Sequence, residues 1–178
     1  MSERAKATTR FLRRLLLPLT GLMLLLVCGS AGAATITVNT ESDTTADDGA
    51  CTLREAITSA NTDTTSGPTP GECAAGSGAD IVAFTNHGPR PQVIAPDPDL
   101  PDLTTPIAIN GSSDPGQIVI DGNSTTDPYG FYITGSNVII NDLTIVRWSY
   151  GVWITDNADS VQVNGSRVGT NTGGAGSP

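Results

Sequence analysis

The sequence has 178 residues and a formal net charge of −9, with nine basic residues against 18 acidic ones and a single histidine. A chain with this sign of charge does not attract a phosphate backbone, which excludes nucleic acid as a main partner. The single histidine is distant in sequence from Cys51 and Cys73, which argues against a metal site formed by these residues.

Residues 1–33 have the organisation of a secretory signal peptide. A basic segment, Arg4–Arg14, precedes an apolar run, Leu15–Val27, and Ala31-Gly32-Ala33 supplies the small residues of a cleavage site. An uncleaved membrane anchor is the alternative, but the apolar run is short for that role. We therefore expect a mature chain that begins at Ala34, is secreted or held at the cell surface, and has no stable membrane span.

Removal of the predicted leader leaves four arginines against 17 acidic residues, a net charge of −13. Such a surface favours solubility through self-repulsion, and this is the simplest role for the acids. Calcium binding is the alternative, because several acids fall in two predicted loops. The first loop contains Asp43, Asp47 and Asp48, and the second contains Asp97, Asp99 and Asp102. Neither matches an EF-hand or a repeated nonapeptide motif, so we expect no cofactor and keep the second loop as the calcium candidate.

After a leading strand near Ala34, the sequence predicts a helix over Thr52–Ala60. Thr52 is a good N-cap, since its hydroxyl can accept from the Glu55 amide while the Glu55 carboxylate reaches back to the Thr52 amide. Apolar residues follow at helical spacing, at Leu53, Ala56, Ile57 and Ala60. So short a helix is not stable alone in water, so its apolar face should lie on a core.

Cys51 and Cys73 are the only cysteines of the predicted mature chain. A pair of cysteines in an oxidising compartment favours a disulfide. The bond would close a loop of about 22 residues, which the chain-entropy description values at about 3 kcal/mol.

From Ala79 onward the pattern changes to strands of three to five residues, separated by Asn, Gly, Asp and Ser. The predicted strands are 79–84, 92–94, 107–109, 118–120, 131–133, 138–140, 143–145, 151–154, 161–163 and 167–168.

These strands recur every 20 to 24 residues. Ile107–Gly111 aligns with Phe131–Gly135 and then with Val152–Asp156, at steps of 24 and 21. A second strand recurs at 118–121, 138–141 and 161–164. This period, with three short strands per turn, predicts an all-β, right-handed parallel β-helix. A β-sandwich lacks such a repeat, and leucine-rich repeats need a leucine frame and an asparagine ladder that we do not expect here.

Cys51-Thr-Leu-Arg-Glu-Ala-Ile57, with Gly71-Glu-Cys73 and Gly76-Ser-Gly-Ala-Asp-Ile-Val82, resembles the motif of the bacterial CSLREA-type secreted proteins. Thr52 replaces the more usual serine, which the N-cap role tolerates. The resemblance implies an N-terminal module leading into a pectate-lyase-like right-handed β-helix, on exported and often surface-attached proteins. Val163–Asn171 resembles the coil-ending motif of long β-helix proteins of this kind.

The predicted organisation is a signal peptide (1–33), an N-terminal capping region (34–105) and β-helix coils (106–178). The last residues, 172–178, form no recognisable cap, and solenoid ends need one. We therefore expect the coils to be incomplete at the C-terminus.

The sequence contains no complete catalytic constellation. Polysaccharide cleavage needs carboxylates or a base that converge on one bond. The acids on or near the coils fall at predicted corners, where acids commonly bond their own backbone. They are Asp121, Asp142, Asp156 and Asp159. His87 lies in a predicted turn without a nucleophile pattern, so no catalytic residue is predicted.

Aromatic residues offer a non-catalytic site. Two coils contain Tyr129, Tyr132, Trp148, Tyr150 and Trp153. Stacked coils would align these rings as a platform for sugar faces, with Trp148, Tyr150 and Trp153 as candidate carbohydrate contacts. Ordinary packing of the rings is the alternative.

Two classes of function follow. The first is an exported structural, adhesive or surface-binding β-helix without catalysis in this segment, whose partner is an extracellular polysaccharide or a cell-surface component. The second is a carbohydrate-active enzyme, a lyase or glycosidase, whose catalytic coils lie beyond residue 178. We favour the first because coils repeat in the sequence while reactive groups do not.

Overall fold

The computed structural model describes residues 32–85, 88–111, 118–122 and 128–169. The described chain is mostly β, with one helix, α1 (Leu53–Thr62). Its strands are β1 (Thr35–Val38), β2 (Asp80–Phe84), β3 (Gln92–Ile94), β4 (Ile107–Asn110), β5 (Ile118–Asp121), β6 (Tyr129–Ile133), β7 (Val138–Asn141), β8 (Leu143–Val146), β9 (Tyr150–Ile154), β10 (Gln162–Asn164) and β11 (Arg167–Gly169). The predicted helix and strands are confirmed, with bounds that differ by one or two residues.

The strands form three sheets in which every pair is parallel. Sheet 1 has the order β1-β2-β4-β7-β10, sheet 2 the order β3-β5-β8-β11, and sheet 3 consists of β6 and β9. From β2 onward the chain visits the sheets in turn, and we call each passage a rung. The rungs are β2 and β3, then β4 to β6, then β7 to β9, then β10 and β11. In the first rung, Leu103 makes an isolated parallel bridge to Ile133 of β6.

The repeat frame predicted from the sequence is partly wrong. Ile107 pairs with Val138, 31 residues further on, rather than with Phe131. Ile118 pairs with Leu143, 25 residues further on, rather than with β7. The predicted alignments of β6 with β9 and of β7 with β10 are confirmed. The error arises because more residues separate β4 from β7 than β7 from β10, so a nearly constant period misaligns the earlier strands.

A row of asparagines marks one corner of the rungs. Asn110, Asn141 and Asn164 end their strands in register, and the Asn164 side-chain amide donates to Asn141 Oδ1 at 3.1 Å. The next residues turn the chain, with Asp142 at φ 54° and Gly165 at φ 60°, a left-handed conformation that Gly, Asn and Asp adopt most readily. This row corrects the expectation that no asparagine ladder occurs.

Helix α1 covers one end of the stack, in contact with β1 and β2. Its inward face is the predicted one, because Leu53, Ala56 and Ile57 are fully buried while Thr58 is exposed. The interior behind it is filled by branched and aromatic side chains from all three sheets. Among the largest are Ile36, Leu103, Ile109, Ile120, Phe131, Ile133 and Ile140.

The local features that fix α1 are also confirmed. Thr52 is the N-cap and accepts from the Glu55 amide, while Glu55 Oε2 accepts from the Thr52 amide at 3.1 Å. Cys51 and Cys73 form the predicted disulfide, with their Cα atoms 4.7 Å apart. Glu55 is buried, and its second oxygen accepts from the Ala46 amide at 3.0 Å, so the preceding loop is attached to the helix as well.

Sheets 1 and 2 continue across residue 105, since β2 pairs with β4 and β3 with β5. The division between a capping region and coils stays a prediction from the sequence. The signal peptide, apart from residues 32 and 33, and His87 lie outside the described residues, as do residues 172–178. Within the described ranges, no helix has the length and apolarity that a membrane crossing requires.

Candidate functional site

Sheet 3 carries aromatic rings in two matching rows. β6 contains Tyr129-Gly-Phe-Tyr132, and β9 contains Tyr150-Gly-Val-Trp153, a pattern repeated after 21 residues. The register pairs Tyr129 with Tyr150 and Tyr132 with Trp153. Because the strands are parallel and in this register, each outer ring lies beside its counterpart on the next rung.

A glycine explains why two rings on one strand share a side although they are three residues apart. Strand side chains normally alternate between faces. In β6, Gly130 and Phe131 are buried in succession, and the alternation slips by one. A Cβ at Gly130 would lie 2.5 Å from the Gly151 carbonyl oxygen, so a side chain there would collide with the neighbouring strand. The slip leaves Tyr129 and Tyr132 on the outer side.

The four outer residues, Tyr129, Tyr132, Tyr150 and Trp153, form what we call the aromatic cluster. The rings of Tyr129 and Tyr150 are stacked, with centroids 5.5 Å apart and planes at 26°. Trp153 lies 5.4 Å from Tyr129 and meets Tyr150 edge-on at 5.0 Å, while Tyr132 lies 5.1 Å from Tyr129. These separations are those of favourable aromatic pairs.

Two of these rings are open to solvent, with Tyr150 49% and Trp153 39% exposed. Neither β6 nor β9 contains a charged residue. An exposed ring with an apolar face and a hydroxyl or N–H at its edge can contact the C–H face of a sugar and bond its hydroxyls. The cluster therefore has the chemistry of a binding surface for uncharged, hydroxyl-rich molecules.

The structure does not support the prediction that Trp148 contacts carbohydrate. Its side chain is buried, 6% exposed, and its indole N–H donates to the Ile120 carbonyl at 3.4 Å. The ring lies against Gly122, where any Cβ would collide with it. Trp148 therefore belongs to the core, since the missing side chain of Gly122 makes room for the indole.

Tyr129 and Tyr132 complete the cluster, although sequence reasoning did not select them as contacts. The signal that identifies them is the repeated Tyr-Gly-apolar-aromatic pattern, whose spacing equals the β6 to β9 offset. Tyr150 and Trp153, which the sequence did select, lie together in the structure.

One acid of the predicted coils is bound by an arginine. Asp121 is buried, and Arg147 binds it with two nitrogens, the Nε atom donating to Oδ1 at 2.6 Å and Nη2 donating to Oδ2. The bond to Asp121 raises the pKa of Arg147, whose guanidinium stays charged. This pair joins the ends of β5 and β8. It has the geometry of a structural ion pair rather than of a carboxylate presented to a substrate.

The predicted calcium loop is held by Arg54 of α1. The Arg54 guanidinium pairs with Asp43 and donates to the Asp99 carbonyl, while the Asp97 amide donates to Asp43 Oδ2 at 2.9 Å. Over the described ranges, no three His, Cys, Asp or Glu side chains are grouped so that they could hold a metal ion. The structure does not bring Asp97, Asp99 and Asp102 together as a cation site.

No family model, curated protein or solved structure matches this chain. The resemblance to the CSLREA-type proteins therefore stays a prediction from the sequence motif. A function has to be argued from the site itself.

Proposed function

We propose that the chain is an exported, non-catalytic binding module, built as a right-handed parallel β-helix, whose aromatic cluster binds neutral polysaccharide. The observation that carries the proposal is the exposure of Tyr150 and Trp153 within a contiguous group of four rings. Soluble proteins bury most of their large aromatic surface, and exposed apolar patches commonly mark binding sites.

The order of the strands supports the β-helix. Successive rungs visit sheets 1, 2 and 3 in the same sequence, and every pairing is parallel. Stacked coils give this topology, because each strand then pairs with the strand one coil later. The interior is continuous from rung to rung, as a solenoid requires.

Charge and spacing favour a neutral polymer as the ligand. The predicted mature chain has a net charge of −13, which repels acidic polysaccharides, and the two strands of the cluster have no charge of their own. Neighbouring strands lie about 4.8 Å apart. The cluster therefore extends over two rungs, so a polysaccharide that lies along the stack contacts both rows of rings.

Export is supported by two independent features of the sequence. The leader has the three segments of a signal peptide. The Cys51–Cys73 disulfide is of the kind that persists in oxidising compartments. Together they favour a location outside the cytoplasm, where the ligand would be a wall or matrix polysaccharide.

The test is affinity electrophoresis in gels that contain a neutral β-glucan or an acidic pectin. We expect the protein to be retarded by the glucan, and the double variant Tyr150→Ala/Trp153→Ala to bind about 30-fold more weakly, since each of the two ring contacts contributes about 1 kcal/mol. Ile81→Ala is the matched control, because Ile81 is a similarly exposed apolar residue on sheet 1. Equal retardation of all three proteins would contradict the proposal.

The same polysaccharides test the enzymatic alternative. Incubation with and without calcium should release neither reducing nor unsaturated ends. Release that is lost in Asp142→Ala would overturn the non-catalytic assignment, whatever the aromatic variants do.

A further inference from the structure

Ala34 and Asp80 meet where β1 and β2 begin. The register pairs Thr35 with Ile81, which places the residue before β1 beside the first residue of β2. The Ala34 backbone nitrogen donates to Asp80 Oδ1 at 3.1 Å, and the Ser77 amide donates to the same oxygen at 2.7 Å.

Asp80 is only 1% exposed. Oδ2 is buried without a hydrogen-bond partner among the described residues. Gly76 lies directly against it, since a Cβ on Gly76 would be 2.6 Å from Oδ2. A buried carboxylate that has an unpaired oxygen and no ion pair within the described ranges is costly, so this position calls for a cationic donor.

The predicted signal-peptide cleavage site is the peptide bond between Ala33 and Ala34, which contains the Ala34 nitrogen. Hydrolysis of the Ala33–Ala34 bond by a signal peptidase consumes one water, leaves a carboxylate on Ala33, and converts the Ala34 amide nitrogen into an α-amine that takes up a proton. An amide N–H has one hydrogen, whereas an ammonium has three and a positive charge.

We propose that the α-ammonium created at Ala34 forms an ion pair with the buried Asp80 carboxylate, so that removal of the leader completes the start of sheet 1. The proposal rests on the predicted cleavage site and not on sugar binding by the aromatic cluster. Gly32 and Ala33 are exposed, so the bond to be cut is accessible in the folded chain. The uncleaved chain lacks the ion pair, and its fold is correspondingly less stable than that of the mature chain.

The sequence provides a selective readout. Lys6 is its only lysine, and it leaves with the leader. The α-amine of Ala34 is then the single primary amine within residues 34–178. An amine-reactive ester therefore reports on this group alone.

The experiment uses residues 1–178, exported from a bacterial host. Mass spectrometry should find Ala34 as the first residue, and a different N-terminus would overturn the proposal. The exported protein is then pulsed with an N-hydroxysuccinimide ester at neutral pH, folded or in urea. Only the neutral amine reacts, and a nearby carboxylate favours the charged form, so acylation should be about tenfold slower in the folded protein.

Two variants, Asp80→Asn and a Gly-Ser insertion, distinguish an ion pair from simple burial of the amine, and Asp156→Asn is the control. In Asp80→Asn the folded amine should react at close to the unfolded rate, while Asp156→Asn, which changes an exposed acid, should leave the protection unchanged. Insertion of Gly-Ser between Ala33 and Ala34 moves the amine away but keeps the Ala34 amide and Asp80. It should abolish the protection and lower the urea midpoint.

The insertion variant alone decides the matter if Asp80→Asn does not fold. If Asp80→Asn folds, the insertion should lower the urea midpoint less in the Asp80→Asn background, because the ion pair is already absent there. Equal acylation of the folded wild type and the folded insertion variant would contradict the ion pair.

Discussion

The two ends of the strand stack contain the same kind of sequence and have opposite surroundings. Near α1, the inward residues of β1 are completely buried, whereas all residues of β10 and β11 are exposed. In sheet 1, Ile140 is fully buried while its register partner Val163 is 41% exposed. The comparison teaches that the alternation of apolar residues determines which side chains point inward. Whether those side chains are buried depends on a further element that packs over the strand.

The largest effect is expected where the covering element itself is disrupted. Ile57→Asp places a carboxylate between α1 and the strands, so it should destabilise the fold by about 4 kcal/mol or prevent folding. Thr58→Asp is the matched control on the exposed face and should cost about 0.5 kcal/mol. Urea denaturation followed by circular dichroism measures both, and similar effects would show that α1 does not cover the stack as described.

Two alanine substitutions compare a buried and an exposed rung directly. Ile140→Ala should destabilise by about 3 kcal/mol, because it leaves a cavity between rungs. Val163→Ala removes a side chain that already contacts water, so it should cost about 0.5 kcal/mol. Thermal unfolding of the two variants checks the difference. A cost for Val163→Ala as large as that for Ile140→Ala would mean that the fourth rung is covered in solution.

The disulfide belongs to the covered end and should contribute less than the α1 interface. Replacing Cys51 and Cys73 by Ala should lower stability by about 3 kcal/mol, because the unfolded chain is no longer constrained across 22 residues. Non-reducing mass spectrometry should find the linked peptide in the wild type. Two alkylatable thiols in the exported protein would contradict the pairing.

The smallest effect concerns Glu72, in the loop beside the disulfide. Its carboxylate accepts from the Ser66 hydroxyl and from the amides of Asp48 and Gly49, both at 2.8 Å. The Ser66 bond first, then the Gly49 amide, lower the pKa of Glu72 below its usual 4.5. A carboxyl with a lowered folded pKa contributes stability above its unfolded pKa and loses it as pH falls through the folded value.

The urea midpoint of the wild type should therefore exceed that of Glu72→Gln above the usual pKa of 4.5, and the gap should close as pH falls through the lower folded pKa. The difference in urea midpoint should be small because Glu72 is only half-buried and water screens its charge. A gap that persists unchanged in acid would show that the glutamate acts through packing rather than charge.

Features that depend on near neighbours, or on a pair of residues with no competing partner, were predictable from the sequence. The capping box of Thr52 and Glu55 depends on neighbours three positions apart, and the Cys51–Cys73 bond follows once no other mature cysteine is available. The pairing of Ile107 with Val138 was not predictable, because it depends on how many residues lie between similar short strands. When repeats differ in length, the sequence alone does not show which strands are equivalent. Only the shorter repeats, β6 to β9 and β7 to β10, were therefore aligned correctly.

The candidate site was predictable in part for the same reason. Tyr150 and Trp153 stand out as aromatic residues near a turn, but so does Trp148, and only the space left by Gly122 on another rung shows that its ring is buried. The contact between Ala34 and Asp80 joins residues 46 positions apart and depends on the β1–β2 register.

The most direct test of the central claim uses the two tryptophans as separate reporters, since the sequence contains only Trp148 and Trp153. In Trp148→Phe the emission comes from exposed Trp153 alone, and in Trp153→Phe from buried Trp148 alone. Titration with a neutral β-glucan should shift the Trp148→Phe emission to shorter wavelength and protect it from acrylamide, in a saturable manner, while Trp153→Phe emission stays unchanged. A saturable change in Trp153→Phe without one in Trp148→Phe, or no change in either, would contradict binding at the aromatic cluster.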